Sequence, residues 1–263
     1  MFMVYRPQLA DVICWQYGKG NIQVSKMHID GVKQMVAIRG GIKAVRSTSP
    51  LTARMIPWYD ILEAYFRALL LTNSLRVSML VMGSPQFATQ DDFGVGDGIG
   101  MIPQWQPVYS PNQSDLSHLN FGNLDLDPAT IDILTRLRNI FRQSQLSGLS
   151  NTDLHDLTCF VIHKLLLLPT LPAGGSSGSE IISQCIRYAT TLYMFIIHGP
   201  TYYSHASVLN TISLQLKAIF EPLVLFIGIH DPLAVWLLYV GMVATNGTVE
   251  EQWFMDQARA VMV

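Results

Sequence analysis

Charge is scarce in this chain. Asp, Glu, Lys and Arg together make up 14% of 263 residues, and the formal net charge is −2. Its 17 basic residues are scattered, with no run of four. A domain that neutralises many phosphates clusters its Lys and Arg, so direct nucleic-acid contact is not expected. Cysteine is also rare. Cys14, Cys159 and Cys185 are far apart and form no C-x-x-C pair, which excludes a local zinc cluster or a disulfide framework. A sparse, odd count suits a reducing compartment. Arg6 and Pro7 interrupt the N-terminus, and no apolar signal-peptide core follows. Residues 219–244 are very apolar. Pro222, His230, Asp231 and Pro232 cut them into pieces too short for a bilayer, so no membrane association is expected. Internal repeats at a period of about 20–50 residues are missing as well, which argues against a solenoid.

Alternating strand patterns are equally missing, whereas apolar positions recur at helical spacing almost throughout. With 49% hydrophobic residues, the pattern predicts a soluble, all-α, single irregular domain spanning residues 1–263. It should contain about 8–10 helices. Residues 9–17 open the series. A second helix, with Ile29, Val32, Met35 and Val36 on its inner face, ends at Gly40-Gly41. Pro57 suits a first helical position, followed by a stripe of Trp58, Ile61, Leu62, Tyr65 and Leu69. Residues 83–127 form a long irregular central loop rich in Gly, Pro, Asp, Ser and Asn. Its Phe87, Phe93, Trp105, Tyr109 and Phe121 are expected to pack over the helices.

Asp127-Pro128 reads as N-cap and first turn, with Ile131, Leu134, Leu137 and Phe141 facing inward. The next helix starts at Asn151 or Thr152 and runs to Pro169, burying Leu154, Leu157, Val161 and Leu165. Residues 174–179 have the composition of a flexible linker, either a natural loop or an engineered one. Further helices cover residues 180–198, closed by Gly199-Pro200, then 204–220 and 232–243. Thr248-Val-Glu-Glu251 resembles a capping box that opens the last helix.

Motifs that would carry chemistry are weak. Asp91-Asp92-Phe93-Gly94 has the DFG triplet but no companion kinase motif, and reads as a turn. Gly94, Gly96, Gly98 and Gly100 alternate without a flanking strand and helix, so they describe a flexible loop. His155 and His163 lie two helical turns apart, with no carboxylate or cysteine placed to complete a metal site; no metal or other cofactor is expected. Asp125 and Asp127 resemble a carboxylate pair, but Asp127 is better explained as a helix cap. The 12 Met and many aromatics read as ordinary core. The alternative is an adaptable pocket for a small apolar ligand.

One segment is more specific. His28-Ile-Asp-Gly31-Val-Lys-Gln-Met-Val-Ala-Ile-Arg39-Gly40-Gly41 resembles a signature of the regulatory domain of fungal zinc-cluster (Zn2Cys6) transcription factors and their relatives. Ile56-Pro-Trp58-Tyr-Asp60 resembles that family's I-x-W-x-D helix start. Tyr188–Tyr193, Leu233–Ala244 and the Trp253-Phe254 pair resemble later segments in the same order. The matches span residues 28–254. The family's six-cysteine cluster has no counterpart here, which fits either a regulatory region taken from a longer chain or a stand-alone relative.

The resemblance implies an all-α domain of the nucleus or cytoplasm. It would control transcription through a homodimer, a transcriptional partner or a small apolar ligand, without contacting nucleic acid itself. The signature residues His28, Gly31, Arg39, Gly40 and Gly41 are expected to be structural. Gly31 would permit close helix approach, and Arg39 would pin its guanidinium to carbonyls or a carboxylate. The rival is a stand-alone enzyme of fungal secondary metabolism, a cyclase or isomerase, on the same fold. It would draw polar groups from residues such as His28, Trp58, Tyr65, Tyr193 and His198.

Overall fold

The computed structural model describes residues 22–72, 85–91, 93–105, 126–169, 178–199, 206–224 and 232–262. Within these, the backbone alone is described for 22–26, 62–72, 144–147, 206–207, 224 and 261–262. The described residues are all-α, as expected: nine helices and no strand beyond an isolated bridge between Thr89 and Ile99. The expected helix over residues 9–17 lies outside the described residues, as do Tyr109 and Phe121. The chain divides into two compact units, residues 1–100 and 101–263.

In the first unit, α1 (Ile22–Ile38), α2 (Ile42–Thr48) and α3 (Pro50–Thr72) pack on one another. Ile29 and Val36 are buried, Val32 is half-buried and Met35 is exposed, so the inner face of α1 is narrower than its apolar spacing suggests. The corner after α1 is as expected. Gly40 and Gly41 have φ of 86° and 96°, the left-handed region where a side chain is strained. A Cβ on Gly41 would also strike the Asp97 carboxylate. That carboxylate accepts the Lys43 N–H at 2.9 Å, satisfying one of the open amides at the start of α2.

Pro57 does not begin a helix. It lies inside α3, which starts at Pro50. Both prolines suit a first turn, but only one can occupy it, and the helix absorbs Pro57 with Ile56, Trp58 and Ile61 fully buried around it. Asp60, also buried, reaches from α3 to the following loop. Its two carboxylate oxygens accept the N–H groups of Gln86 (2.8 Å) and Phe87 (2.9 Å). Further along, Asp91 accepts the N–H groups of Phe93 and Val95, and the chain turns at Phe93 and Gly94; Asp92 lies outside the described residues. Phe87 is half-buried, whereas Phe93 is 71% exposed.

The second unit holds α4 (Pro128–Ser147), α5 (Asn151–Leu167), α6 (Gly178–His198), α7 (Ala206–Val224), α8 (Pro232–Ala244) and α9 (Glu251–Met262). Asp127 caps α4 through the Thr130 N–H at 3.0 Å. The buried face of α4 is Ile133, Leu137 and Ile140, not the expected Ile131, Leu134 and Phe141, which are half-buried. Trp105 is fully buried here, edge-on to Phe160 and beneath the Arg136 guanidinium. Ser150 caps α5 by accepting the Asp153 N–H at 3.0 Å.

Helix α6 is the hub, packing against α5, α7 and α8. It begins at Gly178, so residues 178 and 179 of the expected linker are helical; 174–177 lie outside the described residues. Its end is as expected, with Gly199 at φ 70°. Helix α8 packs against α6, α7 and α9, and its Gly241 lies against the Phe254 ring so closely that a Cβ would overlap it.

At α9 the expected capping box takes another form. The Thr248 hydroxyl donates back to the Thr245 carbonyl at 2.8 Å, and Glu251 accepts the Gly247 N–H at 2.8 Å. With Thr248 engaged by the preceding turn, the reciprocal Thr–Glu exchange does not form.

Candidate functional site

Two polar side chains on α6 reach the neighbouring α5, one at each end. Arg187 is 1% exposed, in the middle of an apolar helix. Its Nη2 donates to the Leu166 carbonyl at 3.1 Å, and its Nη1 to Leu168 at 3.1 Å and Pro169 at 3.3 Å. The last carbonyls of a helix lack intrahelical partners and carry the negative end of the macrodipole. A guanidinium placed there satisfies several at once and is favoured by the local field.

Three turns along α6, His198 meets His155 of α5. His155 Nδ1 and His198 Nε2 are 3.0 Å apart, and the rings are tilted by 46°. His198 Nδ1 lies 2.9 Å from the Gly199 carbonyl oxygen, and His155 Nε2 lies 3.6 Å from Cys159 Sγ. All three side chains are buried.

Hydrogen-bond polarity along this chain follows from one fact. A carbonyl only accepts, so His198 carries its proton on Nδ1 and, when neutral, offers Nε2 as acceptor. His155 therefore donates from Nδ1, which leaves its Nε2 to accept the Cys159 thiol proton. The order is thiol to His155 to His198 to carbonyl, with every ring nitrogen satisfied in the neutral state.

The electrostatics favour that state. Burial, then the neighbouring His155, lower the His198 pKa below the ordinary 6.5, partly offset by its bond to the Gly199 carbonyl. Burial, then the nearby Asp156 charge, raise the Cys159 pKa well above 9.0. A thiol so placed is a donor rather than a nucleophile. The geometry also disfavours a shared metal ion, because His155 turns one ring nitrogen to His198 and the other to Cys159. Among the described residues no group of three His, Cys, Asp or Glu side chains is arranged to hold one.

The residues singled out from sequence fall as follows. His28 is half-buried on α1. Gly31 is not a point of close approach, since a Cβ there would meet nothing within 4 Å. Arg39 is exposed; the guanidinium that clamps carbonyls is that of Arg187. Gly40 and Gly41 form the corner. Of the rival enzyme set, His28 and buried Trp58 belong to the first unit, and Tyr193 and His198 to the second; the Tyr65 side chain lies outside the described residues. Tyr193 stacks edge-on to Phe141. Asp125 lies outside the described residues.

Sequence reasoning overlooked Cys159 as a partner for histidine. The signal was present: His155, Cys159 and His163 recur at i, i+4 and i+8, one face of a helix. His163 completes the row by placing Nδ1 2.8 Å from the Cys159 carbonyl.

No protein-family model matches the chain, and no curated protein or solved structure matches it either.

Proposed function

We propose that the chain is a regulatory helical domain of the kind found in fungal zinc-cluster transcription factors, or a stand-alone relative. It acts in the nucleus or cytoplasm through a partner protein, a second copy or a small apolar ligand, rather than through chemistry of its own. The observation that carries this reading is the use made of the signature residues. Arg39 and Gly40 are exposed and Gly41 is buried at the corner after α1, and Asp60 of the I-x-W-x-D segment ties a loop to its helix. Both roles are architectural. The buried Cys159–His155–His198 chain agrees with this, since its groups satisfy one another and its thiol is held protonated. No helix among the described residues is long and apolar enough to cross a membrane.

The test is to fuse the whole chain to an unrelated DNA-binding domain and measure reporter transcription, with co-purified small molecules identified by mass spectrometry. A change in reporter output relative to the DNA-binding domain alone supports the reading. Unchanged output, together with turnover of a co-purified molecule, overturns it in favour of the cyclase or isomerase alternative. The observation favouring that second reading is the convergence of His198 with His155 and Cys159.

A further inference from the structure

We propose that Asn246 is a site of spontaneous deamidation, and that the Glu251 carboxylate sets its rate by holding the attacking nitrogen. Asn246 is the one asparagine in the chain followed by glycine. The reaction needs the backbone nitrogen of the next residue to reach the asparagine side-chain carbonyl carbon. Glycine has no Cβ and leaves that approach open. Asn246 and Gly247 are both exposed, in the short connection from α8 to α9. A Cβ on Gly247 would meet nothing within 4 Å, so the space beside it is clear. Gly247 N bonds to Asn246 Cγ as the Cγ–Nδ2 bond breaks. Ammonia leaves, taking up the Gly247 amide proton, and a five-membered imide remains. Water then opens the imide at either carbonyl, giving aspartate or isoaspartate. Nothing is oxidised or reduced, and solvent water is the one co-reactant.

The nitrogen attacks only once its proton is lost, and in this fold that proton is engaged. The Gly247 N–H donates to Glu251 Oε2 at 2.8 Å. A carboxylate is too weak a base to remove an amide proton. It stabilises the N–H form, and its negative charge opposes the amide anion, so the bond restrains attack. The turn around it is well tied. The Thr248 N–H and hydroxyl both donate to the Thr245 carbonyl, each at 2.8 Å, and Gly247 takes the third position of that turn with φ 79°. Thr245 is fully buried, and its own hydroxyl donates back to Gly241 of α8 at 2.8 Å. Asn246 therefore sits between an anchor on α8 and the first residue of α9. Conversion acts on that join. Isoaspartate routes the backbone through the side chain and adds one carbon to the turn, which the short Thr248–Thr245 bonds do not accommodate. The lengthened turn would carry the start of α9 away from α8, where Phe254 lies against Gly241. Aspartate keeps the backbone and places a new negative charge near Glu250 and Glu251 in sequence.

The test incubates the full chain in mildly alkaline buffer and follows the Asn246 peptide by mass spectrometry, with isoaspartate scored by enzymatic methylation. The same chain unfolded in urea gives the unrestrained rate. The folded chain is expected to convert more slowly than the unfolded one. Glu251→Ala, folded by circular dichroism, should convert about tenfold faster than the native chain, the factor that corresponds to a hydrogen bond to a charged group. Thr248→Val removes a hydrogen bond from the same turn but leaves the Gly247 N–H on Glu251, and should accelerate conversion far less. An unchanged rate in Glu251→Ala overturns the proposal. So does equal acceleration in Thr248→Val, which would trace the effect to general loosening of the turn. An Asn246 that stays intact in folded Glu251→Ala while the unfolded chain converts overturns it as well. Should Glu251→Ala not fold, Glu251→Gln takes its place, because it keeps an acceptor and loses the charge. A smaller acceleration is then expected, and none at all overturns the assignment. This inference is independent of the transcriptional reading.

Discussion

His155 Nδ1 and His198 Nε2 face each other at 3.0 Å, and the Gly199 carbonyl behind His198 decides which of them donates. The contact makes the fold a reporter of pH. The His198 pKa is lowered in the folded chain, by burial and then by His155. The unfolded chain therefore binds the proton first as pH falls. The stabilisation is fully present above the unfolded value of 6.5 and is lost as pH drops from there through the lowered folded value. Thermal melts should show a midpoint level above neutrality that declines on acidification across this window. His198→Gln should remove that part of the decline which begins in the histidine range. An unchanged profile in the variant would count against the assignment.

Arg187 and the end of α5 give a second expectation. Three carbonyls share one guanidinium. Lysine carries the charge but is a compact donor that cannot span them. Arg187→Lys should destabilise the chain by about 2–3 kcal/mol and Arg187→Met by at least as much, through carbonyls left without a partner. Urea unfolding checks both. A loss below about 0.5 kcal/mol for Arg187→Lys, the scale of an ordinary surface change, would show that water replaces the clamp.

Asp60 is the corresponding anchor of the first unit. Each carboxylate oxygen takes one backbone N–H. In Asp60→Asn one acceptor oxygen becomes an amide NH2, a donor facing an N–H donor. That variant should lose about 1–3 kcal/mol, with amide hydrogen exchange at Gln86 and Phe87 accelerated. Unaltered exchange at those two amides would remove the proposed role.

Two glycines within helices should respond in opposite directions. Gly31→Ala adds a methyl group where nothing lies within 4 Å. It should stabilise by about 0.5–1 kcal/mol, because alanine restricts the unfolded chain and suits a helix interior. Gly241→Ala drives a methyl group into the ring of Phe254, which is fully buried and cannot swing away. It should cost about 1–3 kcal/mol. Differential scanning calorimetry distinguishes the signs, and Gly241→Ala combined with Phe254→Leu should recover part of the loss.

Where a feature depends on neighbours along the chain, it was legible. The Asp127-Pro128 start of α4 and the Gly40-Gly41 corner rest on local capping and backbone rules. Pro57 was misplaced because the first-turn preference of proline cannot choose between two prolines, and Pro50 takes the position. Features that join separate helices were not legible. An arginine's carbonyl targets belong to another element, which is why Arg39 was credited with the clamp that Arg187 makes. Likewise, His198 finds His155 across 43 positions of sequence. Only the local half of that cluster, His155 with Cys159 one turn on, was visible in the spacing. The capping box at Thr248 shows the limit even of local rules, since its hydroxyl is captured by Thr245.

The two polar contacts between α5 and α6 also bear on which alignment the pair adopts. His198 sits opposite His155, and Arg187 opposite Leu166, so the helices run antiparallel and both contacts belong to the same alignment. Helices this rich in aliphatic side chains could slide by a turn at little loss of apolar contact, because Leu, Ile and Val are interchangeable neighbours. Sliding would strand a guanidinium and two imidazoles in hydrocarbon together. These groups exclude competing arrangements more than they add strength, and a variant with both replaced by well-fitting apolar residues would be expected to keep its helices while losing a single defined packing.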